Sequence, residues 1–241
     1  MTDAASERET EGDAHAIPRD PAAAAQSRSG RLRLAAEFAA IYVAAPVAMA
    51  ALTRDGSVSR WDLPVYFAGL TAVAVALLVL TRGFSWRRLV NSPLVADWRA
   101  LIAYTALAVG GLVLLKYWQA PEGLFAMPRY SPDLWQRIIL LYPILSVLPQ
   151  ALIYRALFFG RYRALFPGLW TAIVVNAAVF GLAHLFYMNP YAVGLSALGG
   201  LAFAWAHAAK DSFWFANLLH AISGWTLFTV GLGRYFYHGA I

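Results

Sequence analysis

Within one apolar run, LPQALIYRALFFGRYR at residues 148–163, stand an amide and a full cation, Gln150 and Arg155. Further on, FGLAH ends on His184 and HAISG opens on His220, with Asn176, His207 and Asn217 in the same apolar stretches. Hydrophilic side chains inside a membrane segment are costly, turn to the protein interior and mark a functional site by default. An imidazole can take a proton from water, whereas an amide only donates and accepts hydrogen bonds near neutral pH. Together these types support either activation of a water against a polar bond or recognition of a polar group without reaction.

The elements that must position them follow from composition. The 241 residues are 60% hydrophobic and 13% charged, with a mean hydropathy of +0.55. A soluble domain of this size holds about 45–50% apolar and about 25% charged residues, so the excess is buried in a bilayer. A hydrocarbon core about 30 Å thick takes roughly 20 helical residues at about 1.5 Å each. Apolar segments of that length fall at 34–53, 63–81, 101–118, 137–160, 169–187, 191–209 and 212–232. They predict an all-α polytopic transmembrane bundle of seven to eight helices without a soluble domain. The fourth segment, with two prolines, and the tight 188–190 link are the places where a count is least secure. Counted from one face of the membrane, Gln150, His184 and His220 lie about 16, 22 and 12 Å deep. Three helices therefore bring a hydrophilic side chain to one band near the midplane.

Residues 1–30, rich in acids and poor in large apolar residues, read as a disordered cytoplasmic tail. They lack the basic start and apolar core of a signal peptide. Residues 31–133 form a set of N-terminal membrane helices and residues 134–241 a membrane core. Arg8, Arg19, Arg28, Arg31, Arg33, Arg82, Arg87, Arg88, Arg99, Arg161, Arg163 and Lys210 gather on one side of the spans, against Arg54, Arg60, Arg129 and Arg234 on the other. That asymmetry predicts a multi-pass inner-membrane protein with its N-terminus in the cytoplasm. It also accounts for the formal charge of +6 without nucleic acid as a partner. Lys116 and Arg137 sit close enough to helix ends to snorkel. Arg155 does not. His207 and His238 read as interfacial, and the glycines at 199, 200, 231 and 233 as points of close helix packing. With no cysteine, neither disulfides nor thiolate metal sites arise.

Taken in order, QALIYR, FGLAH and HAISG resemble the E-E-x-x-x-R, F-x-x-x-H and histidine motifs of the CPBP family of intramembrane endopeptidases. That family includes the CAAX prenyl endopeptidases of the Rce1 type and the bacterial Abi proteins. The resemblance covers residues 134–238. It implies peptide-bond hydrolysis in a membrane cavity, where two glutamates and two histidines surround the attacking water. Carried over, Gln150 and Ala151 fall on the glutamate pair and Arg155 on the arginine. Phe180 and His184 fall on the second motif, and His220 on the third.

Both glutamates are thus replaced. Asp211, the only acid after Asp133, sits at a membrane boundary. Gly224 stands where the family often carries a polar residue, and Asn217, three residues before His220, is placed to stand in. Arg155 has lost its helical partner, and Glu37, near the start of the first helix, is the expected substitute. A catalytic zinc needs three protein ligands, so two histidines without a carboxylate predict no metal, and no other cofactor is implied. Three functions remain: a peptidase using His184 or His220 as base, a non-catalytic relative binding a membrane peptide or protein in the cavity, and, least favoured for want of an embedded acid, a transporter.

Overall fold

The structure is a computed structural model describing residues 20–59 and 62–236. Among these it is a helical membrane bundle without strands. Seven long helices run in order: α1 Arg28–Arg54, α2 Leu63–Leu80, α3 Trp98–Gln119, α4 Pro132–Leu165, α5 Leu169–Leu182, α6 Pro190–Ala208 and α7 Phe213–Val230. α1, α3, α4, α6 and the run from α5 to Tyr187 are long and apolar enough to cross a membrane, and α2 is a shorter apolar helix. α7 carries Asn217, His220, Ser223 and Thr226, yet it buries most of its length. It occupies the centre of the bundle, where hydrophilic groups can find partners.

Several helix starts are written in the sequence as side-chain caps. Ser27, Asp97, Asn189 and Ser212 each accept a backbone N–H three residues on, opening α1, α3, α6 and α7. The tight link before α6 works because Met188 adopts the left-handed conformation and Pro190 follows the Asn189 cap. Gly231, expected to aid packing, instead closes α7 with a φ of +93°. Of the tail expected over 1–30, residues 1–19 lie outside the described residues, as does His238. Residues 20–30 are helical in large part rather than disordered. Asp20 caps a turn at Pro21–Ala24, and α1 begins at Arg28.

α4 is one helix despite its prolines. Proline removes the N–H that would bond the carbonyl four residues back, and α4 responds with a wider π-helical stretch at Pro143–Val147. The carbonyl that Pro143 leaves free is that of Ile139, and the Trp225 indole of α7 donates to it at 2.9 Å. A second wide stretch, Leu152–Tyr162, carries buried residues at four-residue steps: Tyr154, Phe158 and Tyr162, beside Ile153, Leu157 and Arg161. An ordinary helix of 3.6 residues per turn would rotate such a row away from one face. The wider turns keep it against α1.

The α1–α4 contact corrects the expected partner of Arg155. The two helices run antiparallel with Glu37 level with Arg161 and Tyr162, and Tyr42 level with Ile153 and Tyr154. Glu37 therefore lies level with a point at least six residues along α4 from Arg155, roughly 9 Å away. It accepts from Arg161 instead, at 2.5 Å from Nε and 3.0 Å from Nη2, and from the Tyr162 hydroxyl. Arg161 is buried, and its Nη1 donates to Thr81 Oγ1 of α2 at 3.1 Å. Lys116 departs from expectation too. It is only 3% exposed, folded beneath Gly123 and the Gly231 turn instead of reaching outward.

α5 and α6 meet through small residues. A Cβ at Gly181 would press on Ala197 and the Val193 carbonyl, and one at Gly200 on Phe180 and Ala177. This close approach sets the α5 histidine motif beside α6 and α7.

Candidate functional site

Five helices enclose a cavity of about 640 Å³. Tyr142, Ser146 and Gln150 face it from successive turns of α4, Phe180 and His184 from α5 and its end, Phe203 from α6, and His220, Ser223 and Gly224 from α7. Four-residue spacing puts the three α4 side chains on one face. Gln150, His184 and His220, expected to converge, do so. Among the described residues that line it, none is Asp or Glu.

Phe180 organises the site. Its ring lies 4.9 Å from that of His184 and 5.4 Å from that of His220. On another side the Arg155 guanidinium sits 4.6 Å from its centroid and 5.6 Å from that of Phe203, a cation–π arrangement. Phe203 in turn stacks on His220 at 4.7 Å. Arg155 is buried but not among the lining residues. It donates to Asn176 Oδ1 at 2.6 Å and to the Tyr154 carbonyl at 3.1 Å, while Asn176 Nδ2 donates to that same carbonyl. The cation thus fixes the aromatic floor under both histidines from behind. Asn176 is its polar partner. The sequence shows Asn176 as a polar residue in α5, but nothing in its spacing pairs it with α4.

His184 Nδ1 lies 2.8 Å from the Phe180 carbonyl. A carbonyl only accepts, so Nδ1 carries the proton and Nε2 keeps the lone pair. His220 Nε2 is 3.2 Å from the Tyr142 hydroxyl. Gln150 Nε2 donates to Ser146 Oγ at 2.8 Å. The Tyr104 hydroxyl meets Ser223 Oγ at 2.5 Å, and Ser223 donates to the Leu219 carbonyl, tying α3 to α7 across the cavity.

Two placements differ from expectation. Asn217 does not line the cavity and so does not stand in at Gly224. Its Nδ2 donates to the Phe213 carbonyl one turn back, and its Oδ1 has no partner among the described residues. The space at Gly224 goes to Tyr142, whose ring atoms lie where a Cβ would stand. Glycine there lets a hydroxyl from α4 reach His220. Gly224→Ala is therefore expected to cost about 1–3 kcal/mol through overpacking, with the loss relieved in a Tyr142→Leu background. Thermal melting of the purified single and double variants checks this, and a single variant that melts with wild type would refute the packing.

Residues 132–226 match the model of the type II CAAX prenyl endopeptidase Rce1-like family. This stretch is an Rce1-like domain. It contains α4 through most of α7, hence every cavity residue named above except Tyr104. The apolar helices make the chain a multi-pass membrane protein, and residues 132–226 are the part that is similar to the Rce1-like family. No curated protein and no solved structure matches the chain. Among the described residues no group of three or more His, Cys, Asp or Glu is placed to hold a metal ion.

The cavity is open at its side. Leu107 of α3 and Leu198 of α6 line it and are also largely exposed on the bundle's outer face.

Proposed function

We propose that this chain binds a membrane-embedded peptide segment in the cavity of its Rce1-like domain, with the family's peptide-bond hydrolysis lost or severely reduced. One observation carries the reading: among the described residues two histidines face the cavity and no carboxylate does. A general base contributes about 10²–10⁴-fold to such a reaction, and Gln150 cannot act as one. By the resemblance, Gln150 and Ala151 occupy the positions of the two glutamates. Gln150 is on the cavity wall, while Ala151 is buried in the core one turn before Arg155. The lateral opening suits a substrate-like segment arriving through the bilayer, held by its apolar side chains with Ser146, Gln150 and Ser223 available to its backbone.

Hydrolysis with His184 as base is the second reading. It is favoured by the fixed tautomer, which leaves Nε2 free to accept a proton from water. One assay separates the two: cleavage of a fluorogenic transmembrane reporter by protein reconstituted in liposomes. The binding reading expects photo-crosslinking of the reporter to wild type, negligible wild-type turnover, and about 100-fold faster cleavage by Gln150→Glu with Ala151→Glu. Wild-type turnover equal to that of the double variant, and abolished by His184→Gln, would replace it with the second reading.

A further inference from the structure

A second cavity, of about 490 Å³, lies at the end of the bundle where α2, α4 and α6 finish and α5 and α7 begin. One wall is the turn at Asp20–Ala22. Three arginines line it. Arg82 makes no hydrogen bond or ion pair among the described residues, and Arg163 spends one Nη1 donor on the Phe166 carbonyl at 2.8 Å. Arg88 is shared with Asp211 at 2.7 Å. The other carboxylate in the lining, Asp20, accepts the Ala23 N–H. Among the described residues two guanidinium groups are thus left without an acid, beside the hydroxyl of Ser85.

The same cavity has an apolar half, formed by Phe84, Phe159 and Phe213 together with Gly160 and Leu169. Gly160 permits this, because a Cβ there would press on the Phe84 ring at 3.0 Å. Trp86, Trp98 and Trp170, at the same end, are 37, 62 and 65% exposed. Exposed tryptophans at helix ends mark the headgroup level of a bilayer. A cavity at that level, cationic on one side and aromatic on the other, matches a molecule with a phosphate at one end and hydrocarbon at the other.

We infer that this cavity binds one anionic phospholipid, its headgroup phosphate between Arg82 and Arg163 and its glycerol and upper acyl region against Phe84 and Phe159. Basic pockets between membrane helices recognise lipid headgroups in this way, each cation near the surface being worth about 1 kcal/mol, or roughly five-fold in affinity. The site is separate from the Rce1-like cavity. It stands or falls independently of any peptidase activity.

The test uses the full chain, delipidated in neutral detergent and followed by native mass spectrometry as phosphatidylglycerol or phosphatidylcholine is added. One phosphatidylglycerol is expected to be retained at least about ten-fold more tightly than phosphatidylcholine. Arg82→Ala and Arg163→Ala each weaken it about five-fold, Arg82→Lys weakens it less, and Arg54→Ala, at the opposite end, leaves it unchanged. Because Arg82 has no partner among the described residues, its removal is expected to leave the fold intact, and thermal melting without lipid verifies this. Equal retention of the two lipids, or an effect of Arg54→Ala matching that of Arg82→Ala, would overturn the inference. So would protection from melting by inorganic phosphate alone as large as that by phosphatidylglycerol, which would assign the cavity to a soluble anion.

Discussion

Arg161→Ala is expected to destabilise the bundle by about 3–5 kcal/mol, because it strands Glu37 in a partly buried position between α1 and α4. The carboxylate accepts two bonds from Arg161 and one from Tyr162, and the guanidinium also reaches Thr81 of α2. Three helices are therefore joined through one side chain with no exposed surface. Glu37→Ala exposes the opposite defect, a buried guanidinium that has lost its carboxylate. Its loss should be comparable. Glu37→Gln keeps an oxygen that can accept from Arg161 but removes the charge, so it falls between Ala and wild type. Arg88→Ala is the contrast, since its pair with Asp211 has side chains 74 and 68% exposed, and an exposed pair is worth at most about 1 kcal/mol. Unfolding in mixed detergent, followed by tryptophan fluorescence, ranks the four variants. If Arg161→Ala and Arg88→Ala lose the same stability, the buried network does not hold α1 to α4.

That network also shows where sequence reasoning stops. The helices were legible because about 20 apolar residues in a row have only one economical place to go, and caps such as Asp97 and Asn189 mark their starts. The convergence of Gln150, His184 and His220 was legible too, because depth follows from counting residues along a helix of known rise. Pairing between helices was not. Glu37 has the right charge and the right end of the bundle for Arg155, but partner choice depends on register, which the wide π-helical turns of α4 and its contact with Tyr42 decide. The role of Tyr142 was hidden for a related reason. It sits before Pro143 in a stretch that reads as plain hydrophobic wall, and only the missing Cβ of Gly224, 82 positions later, turns its hydroxyl toward His220.

The cavity therefore keeps its hydrophilic character through neutral groups. Tyr142, Ser146, Gln150 and Ser223 are bonded to one another's neighbours or to His220, so few donors face the space without a partner. Gln150 has one amide donor committed to Ser146, and its oxygen has no bond among the described residues, which leaves that end of the wall able to meet a polar group. A base poised for proton transfer requires instead a group whose proton can leave, and on this wall only the imidazoles qualify.

Asn176→Leu is expected to be more damaging than Arg155→Met, though it removes the smaller and uncharged group. Leucine at 176 leaves the Arg155 guanidinium buried with the Tyr154 carbonyl and two aromatic faces for company. Removing one partner from a buried charged pair costs about 3–5 kcal/mol, while replacing the whole pair with apolar groups of like volume is often close to neutral. Arg155→Met leaves Asn176 short of one donor but still bonded to Tyr154, a loss of about 1–3 kcal/mol. The double variant should then recover most of the stability lost in Asn176→Leu, giving a coupling of about 2 kcal/mol or more, within the range for residues in contact. A readout of position is needed beside stability, since Arg155 also sets the Phe180 and Phe203 rings beneath His184 and His220. The imidazole proton resonances of those two histidines, labelled selectively, should shift in Arg155→Met and stay shifted in the double variant. Additive losses of stability together with unshifted histidines would show that the guanidinium neither depends on Asn176 nor supports the floor of the cavity.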